Sequence, residues 1–437
     1  MTRMGGTWQN WGRSEQVRPQ AVEMPRTAEA VQRSVSAAAS KGMRIKAVGA
    51  GHSFTGIAVA TDVLLDLSHL TGLIAVDRER GYATFRAGTR LHQIPALLAP
   101  YGLAMENLGD IDRQSISGAI STGTHGTGER FGGIATQVVA VRMVTADGEM
   151  LLIDEEHHPE LLPAVVVGLG ALGILVEVTV RCVPRFVLHA LEQPEDLGDV
   201  LDELANRVTA SDHFEFYWFP HTDMAMTKTN TRLPGSAPRH PLPRVGKWID
   251  DVLVGNGLHQ LACDVTHVVP AAIPSVNRVS VKLWGDREFT DVSDRVFATE
   301  RTVRFREMEY AIPAEHVREA FDAVRALIDE RGWRVSFPIE VRFARADDLW
   351  LSTASGRASA YIAVHRYWRD DPTEYFAAVE EIMQRFGGRP HWGKMHSLDA
   401  AALRTRYPKF DDFVALRDRL DPTRMFQNAY LERVLGE

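Results

Sequence analysis

The stretch AVGAGHSFTGIA, residues 47–58, places a histidine directly after a pair of nearby glycines. Gly49 and Gly51 permit a tight turn that brings backbone N–H groups close to an anion, as phosphate-binding loops do. His52 is unusual in this position because such loops usually carry small side chains. His52 therefore either has no role in binding or contacts the bound ligand directly.

The segments around this turn predict an α+β unit that covers residues 1–185. A helix N-cap, an alanine-rich body and a terminal glycine predict a helix over 27–42. Alternating residues at 73–88 and at 136–154 predict two β-hairpins, and RLHQIPALLAPYG predicts an amphipathic helix between them.

Length and composition indicate an ordinary globular protein of two domains. The chain has 437 residues, of which 45% are hydrophobic and 24% charged. A net charge of −8 does not indicate the basic surface that binds nucleic acid. No apolar run is long enough to span a membrane, and MTRMGGTWQNWG lacks the apolar core of a signal peptide. We therefore expect a cytoplasmic protein with no membrane partner.

Cys182 and Cys263 are the two cysteines of the chain, too few for a disulfide framework or a thiolate metal site. We expect no metal, so that the chemistry depends on other residues.

The second half of the sequence predicts a different unit, which begins after a break at Pro184. Residues 186–385 are expected to form an antiparallel sheet with helices on one side, and residues 231–245 a proline-rich surface loop. The runs FREMEYAIP, FPIEVRF and SAYIAVHRYW predict strands, and AEHVREAFDAVRALIDERG predicts a helix between the first two.

Two further glycine-rich stretches differ in what they predict. GLGALG, residues 168–173, matches the dinucleotide fingerprint, but the β-branched run ILVEVTVRCV follows it where that motif requires a helix. We interpret it as a bend that enters a strand. Residues 107–128 are rich in glycine, serine and threonine, which supply many N–H and O–H donors with little bulk. Together with the turn at His52 they fit one extended ligand.

These motifs resemble a known family. GAGHSF, SISGAISTGTHGTG and GLGALG resemble the flavin domain of the vanillyl-alcohol oxidase superfamily, and HWGK at 391–394 resembles its aldonolactone oxidoreductase branch. The resemblance spans nearly the whole chain and extends to HFEFYWFP, REMEYAIP and FPIEVRF. It implies a two-domain flavoprotein with a FAD domain at 1–185, a substrate domain at 186–385, and a C-terminal segment at 386–437 that returns to the flavin.

The resemblance implies that FAD is bonded covalently to His52 and that no second link exists, because residues 107–128 contain no cysteine. A covalent bond prevents loss of the cofactor and raises its reduction potential. The cofactor-binding residues implied are Ala47, Val48, Gly49, Ala50, Gly51, His52, Ser53, Phe54, Gly109, Asp110, Ser115, Gly118, Thr122, Gly123, Thr124, His125, Gly173, Ile174 and Lys394.

The candidate catalytic residues are Lys394, Glu340, Arg342, Asp110 and His365. Glu340 and Arg342 stand two residues apart on a predicted strand, so both side chains face the same way. They form either an exposed ion pair that contributes little to stability, or part of the lining of a cavity on the face of the sheet opposite the core. Lys394 has an aromatic neighbour that can limit its solvation.

The resemblance places these five residues in front of the flavin ring and implies hydride transfer from C2 of an aldonolactone, such as L-gulono-1,4-lactone, to flavin N5. Lys394 is the candidate base, oriented by Glu340, while Arg342 holds a lactone oxygen or stabilises charge on the flavin. The roles of Lys394 and Arg342 could be exchanged.

Two alternatives are an alditol oxidase that acts on xylitol or sorbitol and a flavin-binding protein without catalysis. The electron acceptor is O₂ or another molecule. Gly109 would leave the flavin edge open to oxygen, whereas the overall resemblance favours a dehydrogenase, to which we give more weight.

Overall fold

The computed structural model describes residues 2–4, 6–243, 259–299 and 303–437. In the first part of the chain the strands are β1 (Thr2–Met4), β2 (Trp8–Gln9), β3 (Gln16–Val17), β4 (Ala21–Glu23), β5 (Ile45–Val48), β6 (Val63–Asp66), β7 (Leu73–Asp77), β8 (Tyr82–Arg86), β9 (Leu103–Met105), β10 (Val138–Val144), β11 (Met150–Ile153) and β12 (Ile174–Pro184). The helices there are α1 (Ala28–Ser40), α2 (Ile94–Leu98), α3 (Ile116–Ser121) and α4 (Leu162–Val165).

These strands form two main sheets. The smaller has the order β1-β4-β6-β5, with β4, β6 and β5 parallel. The larger is antiparallel in the order β11-β10-β12-β8-β7, and β9 pairs with the end of β12. The predicted hairpins are confirmed as β7–β8 and β10–β11, and GLGALG leads into β12 as expected.

Helix α1 shows why its sequence is helical. The side chain of Thr27 accepts a hydrogen bond from the backbone N–H of Ala30, which caps the first turn. Val31, Val35 and Ala38 lie on one face and are buried. The helix predicted over 27–42 is therefore confirmed within its expected ends.

The second part of the chain forms one large sheet. Its strands are β13 (Phe186–Asp196), β14 (His213–Trp218), β15 (Met224–Pro234), β16 (Arg287–Val292), β17 (Phe305–Pro313), β18 (Ile339–Ala344), β19 (Ser359–Tyr367) and β20 (Arg389–Pro390). Its order is β16-β13-β15-β14-β18-β19-β17-β20, and every pairing is antiparallel. The chain passes at Arg185 from β12, in the larger sheet of the first part, to β13, in the sheet of the second part. The expected division of the chain lies at this point.

The remaining helices surround this sheet and the C-terminal segment. They are α5 (Leu197–Asp202), α6 (Leu204–Ala210), α7 (His259–Val268), α8 (Ile273–Trp284), α9 (Ser293–Phe297), α10 (Val317–Arg331), α11 (Thr373–Arg385), α12 (Ala400–Arg404), α13 (Phe410–Leu420) and α14 (Ala429–Leu435). None of the helices in the described ranges has the length and apolarity needed to cross a membrane.

Helices lie on both faces of the large sheet, so the expectation of helices on one side is wrong. On one face Phe321 of α10 packs edge-on against Phe216, with ring centroids 5.5 Å apart. On the other, Val281 of α8 packs with Tyr217 and Met226. The alternation of apolar residues along each strand allows both faces to be covered at this end of the sheet.

The loop expected over 231–245 is shorter than predicted. Residues 231–234 belong to β15, because they pair with β13 as far as Phe186. Residues 244 and 245 lie outside the described part of the chain.

The C-terminal segment returns to the glycine turn. The backbone N–H of Phe54 donates to Gly393 O at 2.7 Å. Asn428 donates to the carbonyl oxygens of Gly56 and Val59, both at 2.9 Å. Residues from both ends of the chain therefore enclose His52.

Candidate active site

Two cavities meet at His52. The first follows β5, the glycine turn and the start of β12. The second lies between that turn and one face of the large sheet. His52, Ser53 and Gln114 line both, so a single extended ligand can occupy the two.

Most of the cofactor-binding residues expected from the sequence line these cavities. The first is lined by Ala47, Val48, Gly49, Ala50, Gly51, His52, Ser53, Ser115, Gly118, Thr122, Gly173 and Ile174. The second is lined by His52, Ser53, Phe54, Gly109, Asp110, Thr124, His125 and Lys394. Gly123 lines neither cavity and instead makes the turn after α3, with a φ of +75°.

Both glycines are required by the shape of the turn. A Cβ on Gly49 would overlap the side-chain oxygen of Ser115, and Gly51 has a φ of +68°, which favours glycine. Both residues line the first cavity, and a turn with few side chains in such a place fits the diphosphate of FAD.

Positive charge near the turn also fits FAD. Arg90 places Nη2 3.4 Å from Gly49 O, and within the described chain its Nη1 is buried and has no hydrogen-bond partner. A buried guanidinium donor without a partner is costly unless a ligand accepts from it. A phosphate oxygen of the cofactor would meet this requirement.

His52 is held against an aromatic ring. Trp11 stacks on it with centroids 5.7 Å apart and planes inclined by 23°. Burial, followed by the charges of Arg90, Lys394 and Arg113, lowers the pKa of His52 to about 4. The imidazole is therefore neutral at physiological pH and has a lone pair for bonding.

The large sheet presents a polar face to the second cavity. Glu340 and Arg342 on β18 and His365 on β19 point to this cavity, as the period of two predicts. Glu307 and Glu309 on β17 line it as well. The opposite faces of these strands carry apolar residues such as Ile339, Val341 and Met308, which are buried in the core.

Arg342 and Glu340 form a buried ion pair rather than an exposed one, each only 8% exposed. A second carboxylate, that of Glu215, lies 2.8 Å from Arg342 Nε. The hydroxyl of Tyr217 lies 3.0 Å from Glu340 and 3.1 Å from Glu215. Burial, followed by these two carboxylates, raises the pKa of Tyr217 well above its ordinary value, so the phenol keeps its proton.

Lys394 pairs with Glu307, a carboxylate that the sequence did not indicate as its partner. The reason is topological: HWGK follows β20, which pairs with β17, the strand that carries Glu307. Burial raises the pKa of Glu307, but Lys394 and His365 outweigh it and bring the pKa to about 2. The carboxylate therefore stays ionised beside the ammonium.

Glu309 connects the loop at His125 to the HWGK segment. His125 Nε2 lies 3.2 Å from Glu309 Oε1, and its Nδ1 donates to Gly126 O at 2.8 Å. The backbone N–H of Gly393 donates to Nδ1 of His391 at 3.0 Å.

His125, Glu309 and His391 are close enough together to be considered as metal ligands. In His391 Nδ1 accepts a hydrogen bond, so the neutral ring carries its proton on Nε2. Neither nitrogen is then available to a metal ion. This hydrogen-bonding pattern favours a cluster of hydrogen-bonded side chains over a metal site.

Sequence reasoning missed Glu215, Tyr217, Glu307, Glu309 and His391, all of which take part in the polar face or its support. The signal was present, because E-F-Y at 215–217 and E-M-E at 307–309 repeat the i, i+2 spacing of Glu340 and Arg342.

Comparison with solved structures shows the fold. Cholesterol oxidase from Brevibacterium sterolicum superimposes with a TM-score of 0.83 at 17% identity, over 100% of this chain and 97% of that one. A solvent-stable cholesterol oxidase gives a TM-score of 0.78 at 19% identity, with 99% of this chain and 98% of that one covered. The chain therefore has the same two-domain fold as these oxidases.

Comparison with sequences is more specific. The family described as D-arabinono-1,4-lactone oxidase matches residues 178–434, and the FAD binding domain family matches 19–154. L-gulono-1,4-lactone dehydrogenase of Mycobacterium tuberculosis is 43% identical, over 99% of this chain and 100% of that protein. L-gulonolactone oxidase of Bos taurus is 35% identical, over 98% of both chains. The chain belongs to the aldonolactone oxidase and dehydrogenase family, whose members oxidise a sugar lactone with FAD.

Proposed function

We propose that the protein oxidises the C2 hydroxyl of an aldonolactone, L-gulono-1,4-lactone or a close analogue, to an ascorbate-type product. The observation that carries the proposal is the buried ion pair Arg342–Glu340 together with the half-buried pair Lys394–Glu307, on one wall of a cavity that continues into the FAD cavity. Carboxylates and cations alternate on that wall and match the hydroxyl and ring oxygens of a sugar lactone.

Bound FAD supplies an acceptor for the two electrons of the alcohol. The protein must then hold the lactone with its C–H bond facing the cofactor and must receive the hydroxyl proton. Arg342, fixed between Glu340 and Glu215, is suited to hold a lactone oxygen. Lys394 is suited to stabilise negative charge on the reacting oxygen.

The expected role of Lys394 as proton acceptor is revised. Its ammonium is paired with the buried carboxylate of Glu307, so it already carries the proton that a base would have to receive. Its contribution is then electrostatic, and another group must act as the base.

We propose that His52 carries the covalent bond to FAD. The neutral ring and its place where the two cavities meet support this assignment. Trp11, stacked on the imidazole, would limit its rotation before the bond forms.

We propose dehydrogenase activity with slow oxidase activity. The identity to a gulonolactone dehydrogenase supports the first part, and Gly109 in the cavity wall supports the second. The cytoplasmic location expected from the sequence and a role in ascorbate synthesis remain part of this proposal.

An alditol oxidase is a second candidate, since the polar wall would also accept a polyol. The buried charges of the wall argue against a protein that only carries flavin, because burying charged side chains destabilises the fold and such a protein would have no use for them. The test is anaerobic reduction of the flavin by a panel of lactones and alditols. Bleaching by L-gulono-1,4-lactone at lower concentrations than xylitol or sorbitol supports the proposal. Bleaching by alditols alone favours the second candidate, and no bleaching favours a carrier.

A further inference from the structure

His365 has a defined tautomer. Its side chain is buried on β19, and Nδ1 lies 3.1 Å from the carbonyl oxygen of Pro338. Because a carbonyl can only accept, Nδ1 carries the hydrogen. In the neutral ring Nε2 is then an acceptor with a lone pair.

That lone pair lies beside a carboxylate. His365 Nε2 is 3.6 Å from Glu307 Oε1, too far for a good hydrogen bond but close enough for strong electrostatic attraction once the ring is charged. The other oxygen of Glu307 holds the ammonium of Lys394. Glu307 therefore faces two groups that are cationic or can become so.

Other groups on the cavity wall already have partners. Glu340 is bound to Arg342 and Tyr217, and Glu309 to His125. His391 accepts from the backbone of Gly393, and burial lowers its pKa to about 4. Asp110 and His52 also line this cavity, on the side of the FAD-binding loops. Phe305 and Phe337 pack against the ring of His365, with centroids 5.1 and 6.2 Å away, and limit its contact with water.

We propose that His365 Nε2 takes the hydroxyl proton of the substrate and that Glu307 is the positioning residue that stabilises the imidazolium so formed. This inference rests on the proposed function. The O–H proton forms a new N–H bond at Nε2, and the O–H bonding pair becomes the second bond of the carbonyl group. Bound FAD would accept the hydrogen on carbon together with its electron pair, which balances the loss of two electrons and two hydrogens from the substrate.

The test compares His365→Asn and Glu307→Gln with the parent holoenzyme in anaerobic stopped-flow reduction by L-gulono-1,4-lactone between pH 5.5 and 9. A general base acts in its unprotonated form, so the rate in the parent should rise with pH. His365→Asn should lose this rise, and its rate should fall by roughly 10²–10⁴-fold, the usual contribution of a general base. Glu307→Gln should lower the limiting rate of reduction without raising the lactone concentration needed for half of that rate, because it removes the anion that stabilises the imidazolium.

A second readout does not depend on turnover. In protein labelled with ¹⁵N at histidine, the resonances that disappear in His365→Asn identify the ring and report its tautomer. We expect a hydrogen on Nδ1 and none on Nε2 at pH 8, as the contact with Pro338 O requires. His158→Asn is the matched control, because His158 is exposed and has a φ of 54°, which asparagine tolerates.

The outcomes separate the two claims. A His365→Asn variant that keeps the pH dependence, or that is reduced within about threefold of the parent rate, overturns the inference alone. An Nε2–H tautomer at pH 8 also overturns it. A parent protein that no lactone reduces at any pH overturns the proposed function and this inference with it.

Discussion

Trp11 and His52 are stacked, with ring centroids 5.7 Å apart. Trp11 also meets Phe305 of β17 edge-on at 5.2 Å, so one indole connects the glycine turn to the large sheet. The backbone N–H of Trp11 donates to Gly51 O at 2.8 Å, which fixes the ring beside the turn. Contacts of Trp11 with the large sheet and with the turn therefore help to set the orientation of the histidine.

His52→Ala tests the proposed covalent bond to FAD. The parent protein, denatured in acid and filtered, is expected to retain its yellow colour, whereas the variant releases it. The variant should still bind some FAD, because the glycine turn and Arg90 are unchanged, but its reduction by lactone should be slower. His158→Asn is the control, because asparagine tolerates the positive φ of this exposed residue. Colour that washes out of the parent would show that the cofactor is not covalently bound.

Lys394→Met should depress flavin reduction by roughly 10²–10⁴-fold while the FAD content stays near that of the parent. The substitution removes the charge beside the reacting oxygen and leaves Glu307 buried without its ammonium partner. Lys409→Met is a suitable control, because Lys409 pairs with Asp412 on the surface. Rates within about threefold of the parent would remove Lys394 from the chemical step.

Gly109→Ala should slow the reaction of the reduced protein with oxygen and should also cost stability. A Cβ at this position would lie 2.9 Å from the backbone oxygen of His125, so the loop has to shift. Overpacking of this kind typically costs about 1–3 kcal/mol.

Stopped-flow mixing with air-saturated buffer measures the first effect and urea unfolding the second. Gly6→Ala is the control, since no atom lies within 4 Å of its added Cβ. Parent protein that reoxidises as fast as it turns over would mean that the enzyme is an oxidase. Unchanged reoxidation in Gly109→Ala would mean that this residue does not control access of oxygen.

Lys46→Met should change how stability depends on pH. Lys46 is buried and lies 2.9 Å from Gly170 O and 3.0 Å from Phe426 O. Burial lowers its pKa from 10.5 to about 7. The unfolded chain therefore binds more protons between these two pH values, and the contribution of Lys46 to stability rises with pH across this window.

The free energy of unfolding in urea, measured at pH 7 and pH 9, checks this sign. The parent should gain stability relative to Lys46→Met as the pH rises, whereas Lys409→Met should follow the parent. A constant difference between parent and Lys46→Met would show that the lysine does not titrate in this range.

The sequence predicted what depends on local pattern. The helix after Thr27, the hairpins and the strand after GLGALG follow from caps, turns and periodicity within a few residues. The glycine turn at His52 was found because close backbone approach requires glycine in any context.

What the sequence did not predict depends on which strands become neighbours. Glu307 and Lys394 are 87 residues apart, and they meet because β17 lies between β19 and β20. The spacing of Glu340 and Arg342 showed that they share a face, but it did not show that Glu215 and Tyr217 of β14 would lie beside them. The placement of helices on both faces was missed for the same reason.

The enclosure of His52 by both ends of the chain sets an order of events during synthesis. The glycine turn leaves the ribosome early, whereas Gly393 and Asn428, which bond to residues beside His52, emerge much later. A nascent chain can therefore fold its first sheets before the cavity for the flavin is closed. Stable binding of FAD should require the HWGK segment, and chains that terminate before it should accumulate without colour.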